Sequence, residues 1–426
     1  MKRQTSSNRP FICSNLVEET LQGLSPIQTI MKMAEPRNIR AMGLRPEDVI
    51  SFGGGWCNHK APDRLQRIYI DIVSDEQIFH QSGRYSAIKG EYQCRDQIAR
   101  YEKEIYGVAD LVADTILLGQ SSTQIFHDAL RVLFNNGEEI LVLDPTYANY
   151  INAVKCALPK SKLSYLPALD MQTWTYLSET QKTLETLQTA CENGARGLII
   201  PVPDNPTSQI PTDEFMRSCL EILADHNGFL IIDHAYKDLW FDNMPKCYSW
   251  SPVEHENLIS LHSNSKWLSS LGRRLGWVEA NDTIISGFEK LNESVLLSPD
   301  TMHSMATARF LSETLDDGSL RSFIDETRAL YKRTSQVMID KLENDLEWPY
   351  LNPQGGLYTC SPTPEAEDPI HFVQRVLQNT GVLLIPGLGF GPSMNKAVRL
   401  SYGPLCYDHE KIILGFDRIN EYLKKS

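Results

Sequence analysis

A lysine set among hydroxylic residues is the first place in this chain where chemistry could begin. Ser263-Asn264-Ser265-Lys266 leads through Trp267-Leu268-Ser269-Ser270-Leu271 to Gly272-Arg273-Arg274-Leu275-Gly276-Trp277. An amine that must hold an aldehyde cofactor carrying a phosphate needs such a setting. Small residues admit the ligand, hydroxyls bond it, and a guanidinium eight positions on, Arg274, suits a two-pronged grip on phosphate oxygens. A lone lysine is usually a solvated surface charge, so Lys266 gains meaning only if other segments supply the remaining parts of a site.

Those segments have a common form. Residues 115–118, 139–144, 163–166, 197–202, 228–232, 258–262 and 276–280 are short apolar runs that read as buried strands, with helical stretches between them. The alternation predicts an α/β domain with a mainly parallel sheet. In open sheets of this kind ligands bind at the carboxyl ends of strands. Asp144-Pro145, Asn205, Asp233 and Lys266 all fall just after a strand. Between the strand at 115–118 and a helix over 125–134 lies Gly119-Gln120-Ser121-Ser122-Thr123-Gln124. Such a turn offers free backbone N–H groups to an anion, although many strand-to-helix turns share its composition.

Upstream, residues 1–12 are expected to be disordered. Residues 26–34 have helical periodicity with Ser25 as N-cap, and 49–52 form a short strand. That strand runs into Gly53-Gly54-Gly55, either a flexible turn or a place where backbone approaches a ligand. Beyond Gly90 a helix carries a stripe of Ile98, Tyr101, Ile105 and Tyr106. After about residue 300 the pattern changes. Residues 302–345 read as long amphipathic helices, 355–358 and 381–387 as strands and turns of a smaller α+β domain, 397–402 as a strand containing Arg399, and 408–424 as the last helix. The expected division is an N-terminal arm with part of the small domain over 1–60, a large domain over 61–300 and a C-terminal small domain over 301–426.

A chain of 426 residues is too long for one small core and suits two domains or one large enzyme. The net charge of −13, with no basic block against it, argues against nucleic acid as the main partner. The nine cysteines form no C-x-x-C pair, which points to reduced, mostly buried thiols and to no metal site. No apolar run approaches the ~20 residues of a membrane helix and no leader is evident, so a cytoplasmic protein is expected.

In this order and spacing, Asp204-Asn205-Pro206-Thr207, Asp233-x-x-Tyr236, Ser263-x-Ser-Lys266 and Gly272-x-Arg274-x-Gly276 resemble the fold-type I pyridoxal-phosphate enzymes, specifically the class I/II aminotransferase family. The resemblance spans about residues 25–424. It implies that Lys266 forms a Schiff base with pyridoxal 5′-phosphate and then moves the substrate proton. It implies that Asp233 faces the pyridine nitrogen, and that Tyr236 and Asn205 bond the ring oxygen. Ser121, Ser122, Ser263 and Arg274 would hold the phosphate, and Tyr147 would stack on the ring. Tyr85 would reach the phosphate of a neighbouring subunit, which requires a homodimer with shared active sites. Arg399 would fork the substrate carboxylate, with Gly54 and Asn205 beside the substrate.

The pattern also departs from the family. Ser208 stands where relatives carry glycine, and residues 120–124 lack the usual acidic residue and alanine. Trp56-Cys57-Asn58-His59 replaces a Gly-x-Pro type of segment, where His59 is expected to be a solvated loop residue rather than an extra acid or base. The implied activity is transamination of an L-α-amino acid with a 2-oxo acid. A lyase or cyclase on the same fold, eliminating a β or γ substituent or closing a ring on an amino acid such as a hydroxylated arginine, is the alternative. A binding protein that kept only the fold is the least favoured, because every catalytic position is present.

Overall fold

The computed structural model describes residue 14, residues 26–364 and residues 367–425. The expected disorder of residues 1–12 and the Ser25 cap lie outside them. In chain order the strands are β1 (Ile50–Ser51), β2 (Ile116–Gly119), β3 (Glu139–Asp144), β4 (Lys162–Pro167), β5 (Leu169–Asp170), β6 (Thr175–Tyr176) and β7 (Ala195–Pro201). They continue as β8 (Phe229–Asp233), β9 (Leu258–Ser263), β10 (Gly276–Glu279), β11 (Tyr358–Pro362), β12 (Val382–Leu383), β13 (Ile385–Pro386) and β14 (Ala397–Ser401).

Seven strands form the main sheet in the order β2-β10-β9-β8-β7-β3-β4. Pairings from β4 through β9 are parallel, and β10 runs antiparallel to both its neighbours. Both faces are buried, which explains the near-continuous apolar runs. Along β7 and β8 the side chains alternate between two cores. Leu198, Ile200, Leu230 and Ile232 enter one, while Ile199 and Ile231 enter the other with Phe126, Leu130 and Phe288. The fold is α/β with a large, mainly parallel sheet, as the alternation of runs predicts.

A third core gathers Phe52, Tyr358, Val382, Ile385, Val398, Phe416 and Ile419. Its sheet is antiparallel, ordered β11-β14-β13. β1 pairs with β12, so the arm that carries Gly53 is fastened to this core rather than to the main sheet. Eight cysteines are described; all are unpaired, and all except the half-buried Cys156 are buried.

The helix after Gly90 spans Tyr92–Tyr101 and continues as a π turn over Glu102–Tyr106. The wider turn buries both Glu102 and Tyr106. Lys237 Nζ donates to Glu102 Oε2 at 2.5 Å, and Tyr101 and Tyr106 both donate to Asp238. His262 stacks on Trp277 at 4.9 Å, with Nδ1 3.6 Å from Glu102 and Nε2 3.2 Å from Glu279. The Lys237 ammonium is the counter-charge of Glu102, so one carboxylate of this buried group is paired.

Burial pushes Glu102 and Glu279 up to about 7 and His262 down to about 3. Glu279 therefore binds its proton more tightly folded than unfolded, where its value is 4.5. Its stabilising contribution is complete below that value and is lost as pH rises through 7. Glu279→Gln retains an acceptor for Trp277 Nε1, which donates to Glu279 Oε1 at 2.9 Å. Relative to wild type, its Tm is expected to rise by a few degrees between pH 5 and 8, measured by scanning calorimetry at stepped pH.

Candidate active site

One cavity of about 520 Å³ opens at the carboxyl ends of the parallel strands, between the main sheet and the third core. Strand β7 brings Pro201 and the following Asn205 to its wall, β8 brings Asp233, and β9 brings Ser263 with Lys266 just beyond. From the other side come Tyr358 of β11 and Arg399 of β14.

Lys266 Nζ donates to the carbonyl of Gly55 at 2.5 Å and lies 5.4 Å from the centre of the Tyr236 ring. Asp233 is buried, which raises its pKa. Tyr150 Oη donates to its Oδ2 at 2.8 Å and the backbone N–H of Ala235 to its Oδ1 at 3.0 Å; with the nearby Lys266 charge, these bonds favour the carboxylate and oppose the burial effect. Tyr236 Oη pairs with Tyr358 Oη at 2.7 Å, and Tyr147 stands edge-on to Tyr150 at 5.3 Å.

Arg399 is buried between the rings of Tyr358 and Phe390. It donates through Nη1 to Asn205 Oδ1 and through Nη2 to the carbonyl of Gly53, both at 3.0 Å. Its Nε is buried with no partner among the described residues. A guanidinium has five N–H donors, so this one keeps donors for an anion. With Asn205 Oδ1 taken by Arg399, the Nδ2 amine of Asn205 remains to donate.

At the opposite end of the cavity, helix Ser122–Leu133 points its N-terminus inward, with Ser122 and Thr123 on the wall. The first N–H groups of a helix have no intrahelical acceptors. Ser263 Oγ donates to Ser265 Oγ at 2.9 Å, and Arg274, held in the left-handed region at φ 55°, donates to the carbonyl of Leu271 at 2.6 Å. Gly276 crosses beneath: a Cβ there would lie 2.6 Å from the Ser122 nitrogen.

The structure brings nine of the expected residues onto this wall: Ser122, Tyr147, Asn205, Asp233, Tyr236, Ser263, Lys266, Arg274 and Arg399. Three others lie off it. Ser121 is buried, and its hydroxyl caps the helix by accepting the N–H of Gln124 at 3.3 Å. Gly54 sits behind its neighbours Gly53 and Gly55, which do line the cavity. Tyr85 is 82% exposed on the outside of the chain.

His59 corrects the sequence-based expectation. It is buried, with Nδ1 2.9 Å from Tyr331 Oη and Nε2 2.9 Å from the Trp267 carbonyl. Both ring nitrogens have partners, so it braces the chain instead of meeting solvent. Ser208 is accommodated where relatives carry glycine. It adopts φ 56°, and its hydroxyl accepts the N–H of Tyr358 at 3.0 Å.

Residues 48–410 match the model of the family described as aminotransferase class I and II. The chain belongs to this family. It is 28% identical over 345 residues to the (5-formylfuran-3-yl)methyl phosphate transaminase of Methanocaldococcus jannaschii, covering 80% of this chain and 84% of that one. It is 24% identical over 398 residues to an aspartate aminotransferase of Pyrococcus horikoshii, covering 93% and 96%. Its fold superposes on the aspartate aminotransferase of Thermus thermophilus with maleate at a TM-score of 0.82, with 18% identity and coverage of 97% and 100%. It is a pyridoxal phosphate-dependent aminotransferase.

The aminotransferase cavity fits that cofactor. The helix N-terminus, the Ser122, Ser263 and Ser265 hydroxyls and Arg274 lie together on the wall as donors that suit an anion, and a side chain at position 276 would collide with the backbone of Ser121, Ser122 and His262 beneath them. Asp233 is a buried carboxylate that suits a protonated ring nitrogen, and Lys266 is an amine on the same wall.

Tyr150, Tyr358 and Phe390 also form the wall and were not singled out from sequence; Ser265, quoted there only within the lysine motif, lies on it too. Tyr150 had no local signal: Tyr147 precedes the helix Asn149–Ala157, in whose first turn Tyr150 lies. Tyr358 had none, since it arrives from the third core. Removing the Tyr150 hydroxyl takes away a bond that favours the Asp233 carboxylate. Tyr150→Phe is expected to lower kcat/KM about tenfold and to move the acid limb of its pH profile upward. Steady-state kinetics across pH checks both.

Proposed function

We propose that this enzyme transfers the amino group of an L-α-amino acid to a 2-oxo acid, with Lys266 as the amine that attaches the cofactor. The observation that carries this reading is the placement of Lys266, Asp233, Arg274 and Arg399 on one cavity. When bound, pyridoxal phosphate supplies an aldehyde that condenses with amines and a ring that draws electrons from the substrate Cα. Asp233 keeps the proton on the ring nitrogen. Arg274 and the helix N-terminus hold the phosphate. Arg399 orients the substrate carboxylate, and Lys266 Nζ, once free, takes the proton from Cα as general base. Tyr236 and Asn205 would donate to the ring oxygen of the bound cofactor, and Tyr147 would pack against its ring.

A homodimer with shared sites belongs to the same proposal. Tyr85 is exposed, and Phe79, Tyr92, Val295 and Leu297 are exposed apolar or aromatic side chains near it in the chain or beside Ser298, which bonds Ser86. Apolar surface of this kind favours a covering partner. A cytoplasmic setting fits eight unpaired thiols. No helix among the described residues is long and apolar enough to cross a membrane.

The lyase or cyclase alternative started from residues 53–59. Of these, Gly53, Gly55 and Trp56 line the cavity. Cys57 donates to the Lys266 carbonyl, Asn58 to the Pro404 carbonyl, and His59 is held by Tyr331 and Trp267. No acid or base from that segment enters the site, so transamination is the reading retained.

Borohydride treatment of the holoenzyme should fix a pyridoxyl group on Lys266, located by peptide mass spectrometry. Lys266→Ala should lose that label and at least about a thousandfold in turnover. Turnover of the wild type should require a 2-oxo acid. Label at another lysine, or release of ammonia without an oxo acid, overturns the proposal.

A further inference from the structure

We propose that Glu102, His262 and Glu279 bind one divalent transition-metal cation of the zinc class, buried against the main sheet. This goes beyond the transamination reading and does not depend on it. One ligand atom from each of the three residues lies within 4.8 Å of those of the other two. Ligands around a single ion at roughly 2.0–2.2 Å stand about 3–4 Å apart, so the three are near to closing on one centre. His262 Nε2 is already 3.2 Å from Glu279 Oε2, and its Nδ1 is 3.6 Å from Glu102 Oε1. All three side chains are buried.

Two observations point to a cation rather than to an ordinary buried ion pair. The first is hydrogen bonding. Glu102 Oε1 and His262 Nε2 are buried with no hydrogen-bond partner among the described residues. A neutral imidazole has one N–H and one lone pair, whereas a carboxylate oxygen faces each nitrogen of His262. One lone pair therefore faces a carboxylate, which is repulsive unless positive charge lies between them. The second is charge. Asp238, bonded by Tyr101 and Tyr106, is buried beside Glu102 and Glu279. Among the described residues, Lys237 is the only ammonium or guanidinium that pairs with any of these carboxylates. Three negative charges against one positive leave a surplus of two, which is the charge of one divalent cation.

The carboxylates are also held as metal ligands are held. Glu102 gives Oε2 to Lys237, and Glu279 gives Oε1 to Trp277 Nε1 at 2.9 Å, so each keeps its other oxygen turned toward His262. The His262 ring is stacked on Trp277, which fixes its plane. Each ligand thus has an outer partner that orients it. The ligands come from the π turn, from β9 and from β10, so a bound ion would clamp three elements together. An imidazole nitrogen with carboxylate oxygens suits zinc and its neighbours among the divalent transition metals, and no cysteine takes part. Proton and cation compete for the same Glu279 oxygen, so the pH effect expected of Glu279→Gln is that of the ion-free protein.

The test is the metal content of holoenzyme produced in zinc-supplemented medium and dialysed against metal-free buffer, measured by inductively coupled plasma mass spectrometry. Wild type should retain about one zinc per chain. His262→Phe keeps a ring to stack on Trp277 but has no lone pair, and Glu279→Gln keeps the acceptor for Trp277 but has no charge. Each should retain less than about a tenth of the wild-type zinc. Retained cofactor absorbance shows that a variant is folded, and Glu279→Gln carries the test alone if His262→Phe does not fold. Wild type that retains no zinc, or zinc retained equally by wild type and the folded variants, overturns the site; either result leaves the transamination reading standing.

Discussion

A guanidinium taken out of water must find acceptors, and the ones that Arg399 finds hold the site together. It rises from β14 in the third core, bonds Asn205 just beyond β7 of the main sheet, and bonds Gly53 on the arm fastened beside β12. One buried charge therefore spans three parts of the chain. Breaking such a bond would strand a buried charge, at a cost of several kcal/mol, which makes the three-way junction hard to loosen. Lys266 repeats the device two residues along, on the carbonyl of Gly55. The two cations on the cavity wall thus also position the strip of backbone from Gly53 to Gly55.

The other half of the site depends on close approach instead of charge. The β9–β10 pairing sets Gly276 opposite Ser263 and, through β2, opposite Gly119. With no side chain at 276, the strand passes directly under the N-terminus of helix Ser122–Leu133. The turn that joins β9 to β10 carries Lys266 and Arg274, so its anchoring at both ends fixes the distance between the amine and the donors that suit an anion. Part of that anchoring is buried: His262, opposite Trp277 in the same pairing, is flanked by Glu102 and Glu279. The π turn that delivers Glu102 thus packs, through His262, against the strand that ends three residues before Lys266.

The parts of the site that follow strands of the main sheet were legible in sequence, because a buried parallel strand announces itself as an apolar run and the residue after it has nowhere to point but the crevice. Asn205, Asp233 and Lys266 are of this kind. Ser121 shows the limit: composition identifies a strand-to-helix turn, but not which of two adjacent serines caps the helix and which faces the ligand. Tyr358 and Phe390 were illegible because they reach the wall from the third core, through long-range packing that no local spacing encodes. His59 was misjudged for a related reason. A histidine in a polar stretch looks solvated unless one knows that Tyr331, on a helix far along the chain, closes over it.

This asymmetry separates cofactor from substrate. The groups that hold the cofactor are charged or hydroxylic, sit at strand and helix ends, and recur in one linear order, so they form motifs. The apolar side chains of the cavity wall come from the arm, from the turn before Arg274 and from the third core, as Met31, Trp56, Leu271 and Phe390 do. Apolar contacts need area and shape rather than a fixed donor geometry, so many residues at many positions can satisfy them. Specificity can therefore drift while the cofactor site stays constant. The junction at Arg399 and Lys266 couples the two halves of the cavity, because it fixes the backbone at Gly53 and Gly55 between them.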